Sequence, residues 1–243
     1  MDGSSPSSPV EKRRARIAVF REACRREETG PNYSGLRQLA ILTVAYLGTV
    51  ATALVYAGEM LRQRWWLLPV TWLIANIAEY HLHKGPMHHK RKGSRGARLY
   101  KRHAATHHRF FTHEWMEAEE TRDYYIVFFP LWMHAFLLVG LGGVVIVSVA
   151  LLLGLASGAI ALAGIASYIL AYEWLHMAAH LPERFGVAKI PVLSFVYRHH
   201  RRHHDPRRMR HVNFSIFFPL GDLLFGTLTF EDEGDKEDQG ESD

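Results

Sequence analysis

Four histidines fall within six positions of the stretch Tyr197-Arg198-His199-His200-Arg201-Arg202-His203-His204-Asp205. On a helix, His200, His203 and His204 stand at i, i+3 and i+4 and share one face. Neutral imidazoles on one face converge on a metal ion when other ligands arrive from elsewhere in the chain. Three further places supply candidates: His83 with His88, His103 with His107 and His108, and His176 with His180. That makes ten of the sixteen histidines, in four clusters. Imidazole suits iron, zinc, copper or nickel. A structural zinc site closes with four ligands, often including cysteine. Ten histidines exceed that and fit two metals with about five ligands each, which leaves a position open for oxygen chemistry.

Metal-bound imidazoles donate their second ring N–H to a carboxylate or a carbonyl. Glu79 precedes His83 by four residues and Glu173 precedes His176 by three, so each can orient a ligand from the same helix face. Asp205, directly after His204, and Asn213 are further candidates for this orienting role and Asp222 is another polar point, though each is more often an ordinary cap or surface residue. His81, His89, His113, His134, His199 and His211 are read as ordinary surface or core histidines. His134 sits in an apolar run, where an ionisable group hints at function, yet it lies outside every cluster. The rival reading of histidines set among arginines is a basic face for anionic lipid headgroups. Four clusters together favour metal.

The elements that must position these clusters read as membrane-embedded. Long uncharged runs alternate with very basic ones in the 243-residue chain, although hydrophobic content averages only 48%. Gln38 to Gly58 carries no charge and is long enough to cross a ~30 Å hydrocarbon core. The next run opens at Trp65-Trp66, is short for a span, and is expected to continue through Glu79 to the histidines. Tyr124 to Tyr172 is again uncharged and reads as a hairpin of two spans. Its break is expected at Gly154 to Gly158, with Pro130 kinking or starting the third helix. The fourth helix is expected from about Ala159 to His180. The fold class is therefore all-α: about four transmembrane helices in two hairpins, with a cytoplasmic helical cap holding a histidine-rich dimetal site. By the positive-inside rule both termini and all four clusters face the cytoplasm.

Residues 1–35 read as an N-terminal cytoplasmic segment, 36–230 as the membrane domain, and 231–243 as an acidic disordered tail. Within the first segment, residues 1–10 read as disordered. Glu11 to Glu28 reads as a helix, either lying on the membrane surface or solvated. The start has no secretory signal pattern. Cys24 is the only cysteine, so intrachain disulfides and cysteine-based metal sites are excluded. The net charge of +5 raises nucleic-acid binding, but the basic residues flank the apolar runs and carry no recognised motif. Each half of the chain runs from a hydrophobic hairpin to a spaced histidine pair and then a triplet, and so delivers five histidines to one membrane face.

The four clusters, written His83-x4-His88, His103-x3-His107-His108, His176-x3-His180 and His200-x2-His203-His204, resemble the histidine signature of the membrane fatty acid hydroxylase/sterol desaturase superfamily. The closing run Asn213-Phe214 … Asp222-Leu223-Leu224-Phe225-Gly226-Thr227 is similar to that family's C-terminal end. The likeness covers about residues 35–228. It implies a non-haem centre of two iron ions, with zinc able to occupy the site in purified protein. It implies O2 as co-substrate, a lipid substrate in the bilayer, and a separate ferredoxin- or cytochrome b5-like electron donor. It also implies that the ten histidines are the ligands. The second motif departs from the family, with x3 where x2 is common.

The leading expectation is a membrane monooxygenase that hydroxylates, or else desaturates, a lipid chain. The alternative is a non-catalytic metal- or lipid-binding protein on the same scaffold, since no haem or flavin motif is visible. The compact length and the lack of a retention signal point to a bacterial inner membrane rather than the endoplasmic reticulum.

Overall fold

A computed structural model describes residues 8–90, 96–186 and 189–231. The stretches 1–7 and 232–243, expected to be disordered, lie outside the described residues. Helix α1 (Pro9–Glu27) starts earlier than expected because Ser8 caps it. Ser8 and Glu11 form a capping box, and Pro9 occupies the first turn, where its missing N–H has no cost. The helix does not lie free. Ile17, Arg21 and Cys24 are buried at helical spacing, and Cys24 packs in a cluster with Leu39, Phe110, Phe111 and Tyr124.

Helix α2 (Gly35–Ala57) is capped by Ser34 and ends at Gly58, whose φ of 51° a side chain would resist. A short helix, α3 (Glu59–Arg64), leads through Trp65 and Trp66 into α4 (Leu67–Leu82). Sixteen residues of α4 span only about 24 Å. Short α5 (Gly96–Tyr100) and α6 (His108–Phe110) follow, then an irregular segment to α7 (Tyr124–Val127). Pro130 starts α8 (Leu131–Ala135), and α9 (Gly142–Leu153) ends at Gly154, φ 88°. There the expected hairpin turns, and α10 (Leu155–Ala179) begins four residues earlier than expected. Helices α11 (Pro191–His203) and α12 (Leu220–Leu224) complete the chain. The described residues contain no β-strand, only an isolated bridge between Thr112 and Trp115.

Among the described residues three segments are long and apolar enough to cross a membrane: Gly35–Ala57, Thr121–Leu153 and Leu155–Ala179. The fourth expected span, α4, is shorter than these. Helix α10 is the axle of the molecule, buried along most of its length and packed by α2, α4 and α9. A helix apolar on every face must be enclosed in this way or face lipid. Gly164 sets the closest approach, since a Cβ there would stand 1.9 Å from Thr71 Oγ1. Between α4, α9 and α10 lies an apolar cleft of about 660 Å³, counting its open mouth. His83, Met87 and Phe129 line it together with aliphatic residues from all three helices.

Candidate metal centre

Each histidine cluster sits at a helix end on the same side of the bundle. His176 occupies the last turn of α10 and His180 its C-cap. His200 and His203 lie on α11, with His204 at its C-cap. The other two clusters are wound differently. His83–Met87 and Lys101–His107 form π-helical turns. A π turn is wider than an α turn and is favoured at functional sites. It brings residues five apart together: the His83 and His88 rings are 5.0 Å apart, and the His103 and His108 rings 4.6 Å. The Gly85-Pro86 step, which on sequence alone suggests a helix end and a loop folding His88 back, lies instead within the π turn. The extra residue of the second motif is taken up by the π winding of Lys101–His107.

All ten imidazoles are buried and adjacent. The ring nitrogens of His83, His88, His103, His108 and His203 lie within 4.8 Å of one another. Those of His107, His176, His180 and His200 do the same. His204 borders both groups. Its Nε2 is 3.1 Å from His107 Nε2 and 2.9 Å from His200 Nε2, while its ring stacks 4.2 Å from His108. Ligands about 2.1 Å from one ion stand roughly 3–4 Å apart, so groups spread over no more than 4.8 Å close on an ion with small shifts. The two halves of the chain do not keep to themselves. The middle histidine of each triplet crosses over, His107 joining the second group and His203 the first.

Backbone carbonyls hold five of the rings. His180 Nδ1–H donates to Met116 O (2.8 Å), His203 Nδ1–H to Val212 O (2.8 Å), and His204 Nδ1–H to Phe111 O (2.6 Å). His107 Nδ1–H donates to Ile126 O (3.2 Å), and His83 Nδ1–H to Phe214 O. A carbonyl only accepts, so in these five the proton is on Nδ1 and Nε2 carries a bare lone pair. The Nε2 atoms of His107 and His204 then face each other at 3.1 Å with no proton between them. Such an arrangement is repulsive until a cation enters. Burial, reinforced by neighbouring imidazoles, holds His103, His108, His200 and His203 well below the usual histidine range. Burial also lowers His180, to about 3. These rings are neutral near pH 7, as ligands must be. The donor set fits two metal ions.

None of the four expected orienting residues bonds to one of the ten rings among the described residues. Glu79 accepts from Tyr168 Oη–H and Ile216 N–H, tying α4 to α10 and to the C-terminal segment. Glu173 accepts from Phe129 N–H (3.1 Å) and lies 3.4 Å from His134 Nε2. Asp205 accepts from Arg207 N–H, and Asn213 binds the backbone of Thr229 and His199. These side chains brace the frame instead, and carbonyls take the orienting role. Asp222 is the brace that matters most here. It accepts from Phe214 N–H and Ser215 N–H, both at 2.8 Å, and so fixes the carbonyl that holds His83. The remaining six histidines stay outside both groups. His134 bonds to Tyr46 Oη, and His199 Nε2–H donates to Ser215 O.

A helical chain with membrane-length apolar helices and two adjoining buried imidazole groups is, by its geometry, a membrane protein with a histidine-rich metal site. Residues 68–227 match the fatty acid hydroxylase family model, and the chain belongs to that family, within the membrane fatty acid hydroxylase/sterol desaturase superfamily. No curated protein and no solved structure matches the chain.

Proposed function

We propose that the protein is a membrane lipid hydroxylase whose ten histidines hold two iron ions. The observation that carries this reading is the pair of adjoining groups with lone pairs turned inward, placed at the inner end of an apolar cleft. Iron in these groups supplies the activation of O2 that lets an unactivated C–H bond be oxidised.

The chain's own residues do the rest. The cleft between α4, α9 and α10 receives the apolar chain of a lipid, and its wall reaches His83. A smaller hollow of about 310 Å³ continues on the far side of Met87 and Phe129, where His103, His107 and His176 line it. Met87 and Phe129 therefore set how far a chain advances. Phe128, Met133, Phe214 and Ile216, all nearly inaccessible, keep water from the rings. The reading includes four spans, with α4 as the short one, and a cytoplasmic histidine cap. Arg198, Arg201 and Arg210 are exposed beside the histidines of α11 and offer a basic face to an acidic electron carrier.

The test is elemental analysis of gently purified protein beside the His200→Ala/His203→Ala/His204→Ala variant, followed by a lipid product screen with an electron donor supplied. About two iron atoms per chain, lost in the variant, with a hydroxylated lipid formed only by the wild type, is the expected result. Protein that binds metal without forming product supports a non-catalytic metal-binding role instead. Protein that holds no transition metal overturns the reading.

A further inference from the structure

We propose that α1 is a strap that holds the second imidazole group in metal-binding geometry, with Arg21 as its positioning residue. The proposal rests on the two-metal reading above. Helix α1 lies wholly outside the matched residues 68–227. Yet its Arg21 is only 1% exposed. A guanidinium taken out of water carries a large desolvation penalty, so its place needs specific partners. Arg21 Nη2–H donates to Glu117 O (2.8 Å) and pairs with Asp123 Oδ2 (3.3 Å). Its guanidinium carbon lies 4.6 Å from the Phe110 ring centre, 4.7 Å from that of Trp115 and 5.6 Å from that of Phe111. One turn on, Arg25 Nε–H and Nη2–H grip both oxygens of Asp123, at 2.7 and 2.8 Å. Asp123 also accepts from the N–H groups of Glu119 and Glu120. Segment 110–123 is thus wrapped on a buried carboxylate that α1 clamps.

That segment supports the second group. Its Met116 carbonyl holds His180, and its Ala118 N–H donates to His180 O at 2.9 Å. Its Phe111 carbonyl holds His204, and the Phe111 ring packs on the His180 ring with centres 4.1 Å apart. Arg21 touches the residue next to Met116 and the ring of Phe111. The first group takes its carbonyls from elsewhere: Val212 holds His203 and Phe214 holds His83, with Asp222 fixing the latter, and only His108 adjoins the α1 segment, through α6. Two groups with separate supports can be loosened one at a time.

The experiment measures zinc bound per chain in the full-length protein across a series of buffered free-zinc concentrations. Arg21→Met keeps the apolar stem and removes every donor. The expected result is one site of wild-type affinity and one weakened about 10- to 100-fold, the usual effect of losing an orienting partner. Arg21→Lys, which restores a charge near Asp123, recovers part of that loss. In a His83→Ala/His203→Ala background the Arg21→Met change weakens the zinc that remains. In a His180→Ala/His200→Ala background it leaves the remaining zinc unchanged. Equal weakening of both sites, or none, overturns the proposal, because a merely structural helix has no preference between groups. If Arg21→Met fails to insert, Arg25→Gln is read in the same two backgrounds. Wild-type protein that binds no zinc or iron overturns the two-metal reading itself.

Discussion

At the scale of the residue, the centre depends on which nitrogen of each imidazole carries its proton. Carbonyls settle that for His83, His107, His180, His203 and His204. Backbone carbonyls have no residue identity, so this part of the site was invisible in the sequence, where carboxylates at helical spacing drew attention instead. The ten histidines themselves were legible, because spacing reports which side chains share a face. Their grouping was not, because spacing cannot say which partner a face meets. The crossing of His107 and His203 makes a prediction. His83→Ala with His203→Ala removes two ligands from one group and leaves the other whole, so about one metal remains per chain. His83→Ala with His180→Ala damages both groups, and both metals are lost. Elemental analysis distinguishes the two, and equal loss would show that the halves keep to themselves. A second residue-scale prediction concerns the only cysteine. Burial, with Glu28 close by, raises the Cys24 thiol to about 11, so the reactive thiolate is scarce at pH 8. Maleimide is expected to label Cys24 only after denaturation, and mass spectrometry reads the result.

At the scale of the element, two triplets of different spacing do the same work. His200, His203 and His204 use an α-helical i, i+3, i+4 pattern. His103, His107 and His108 use i, i+4, i+5 on a π turn. In both, the outer histidines serve their own half's group or its border and the middle one crosses. A π turn is an α-helix carrying one extra residue, so deleting that residue should restore α winding with the faces preserved. Removal of Ala105 is expected to leave both metals bound, whereas a one-residue deletion at Arg201 turns its histidines off their face and loses metal. Metal content checks both, and loss in the Ala105 deletion would mean that the π winding itself is needed. The sequence misled most at α1. Ile17, Arg21 and Cys24 form a buried stripe, but an arginine in that stripe reads as surface. The span count was hard for a related reason. Helix α4 ends in polar residues that bond within the protein, the buried Asn76 to Phe218 O and the half-buried Glu79 to Tyr168. Gly164 is a quieter element-scale constraint. Its missing side chain lets Thr71 of α4 reach the axis of α10, so Gly164→Leu should destabilise by about 1–3 kcal/mol or more in a thermal melt.

At the scale of the whole molecule, the fold concentrates neutral imidazoles away from water, and that sets how the protein responds to acid. Outside the apolar spans, burial lowers His88 to about 2 and His180 to about 3, and depresses His103, His107, His108, His200, His203 and His204 from the ordinary 6.5. The unfolded chain protonates near its ordinary value, while the folded chain does not. Below pH 6.5 the unfolded state therefore binds more protons, and stability falls as pH falls. Each histidine that behaves so steepens the decline by about 1.4 kcal/mol per pH unit. Bound metal shifts the same balance further, because protons compete for the lone pairs it uses. The metal-free protein is thus expected to keep its melting temperature from pH 8 to 7 and lose it steeply between pH 6.5 and 5. The His200→Ala/His203→Ala/His204→Ala variant, with three fewer depressed imidazoles, should decline less steeply over the same range. A wild-type melting temperature that stays flat down to pH 5 would mean that the rings accept protons while folded, and so that the cap admits water to the centre.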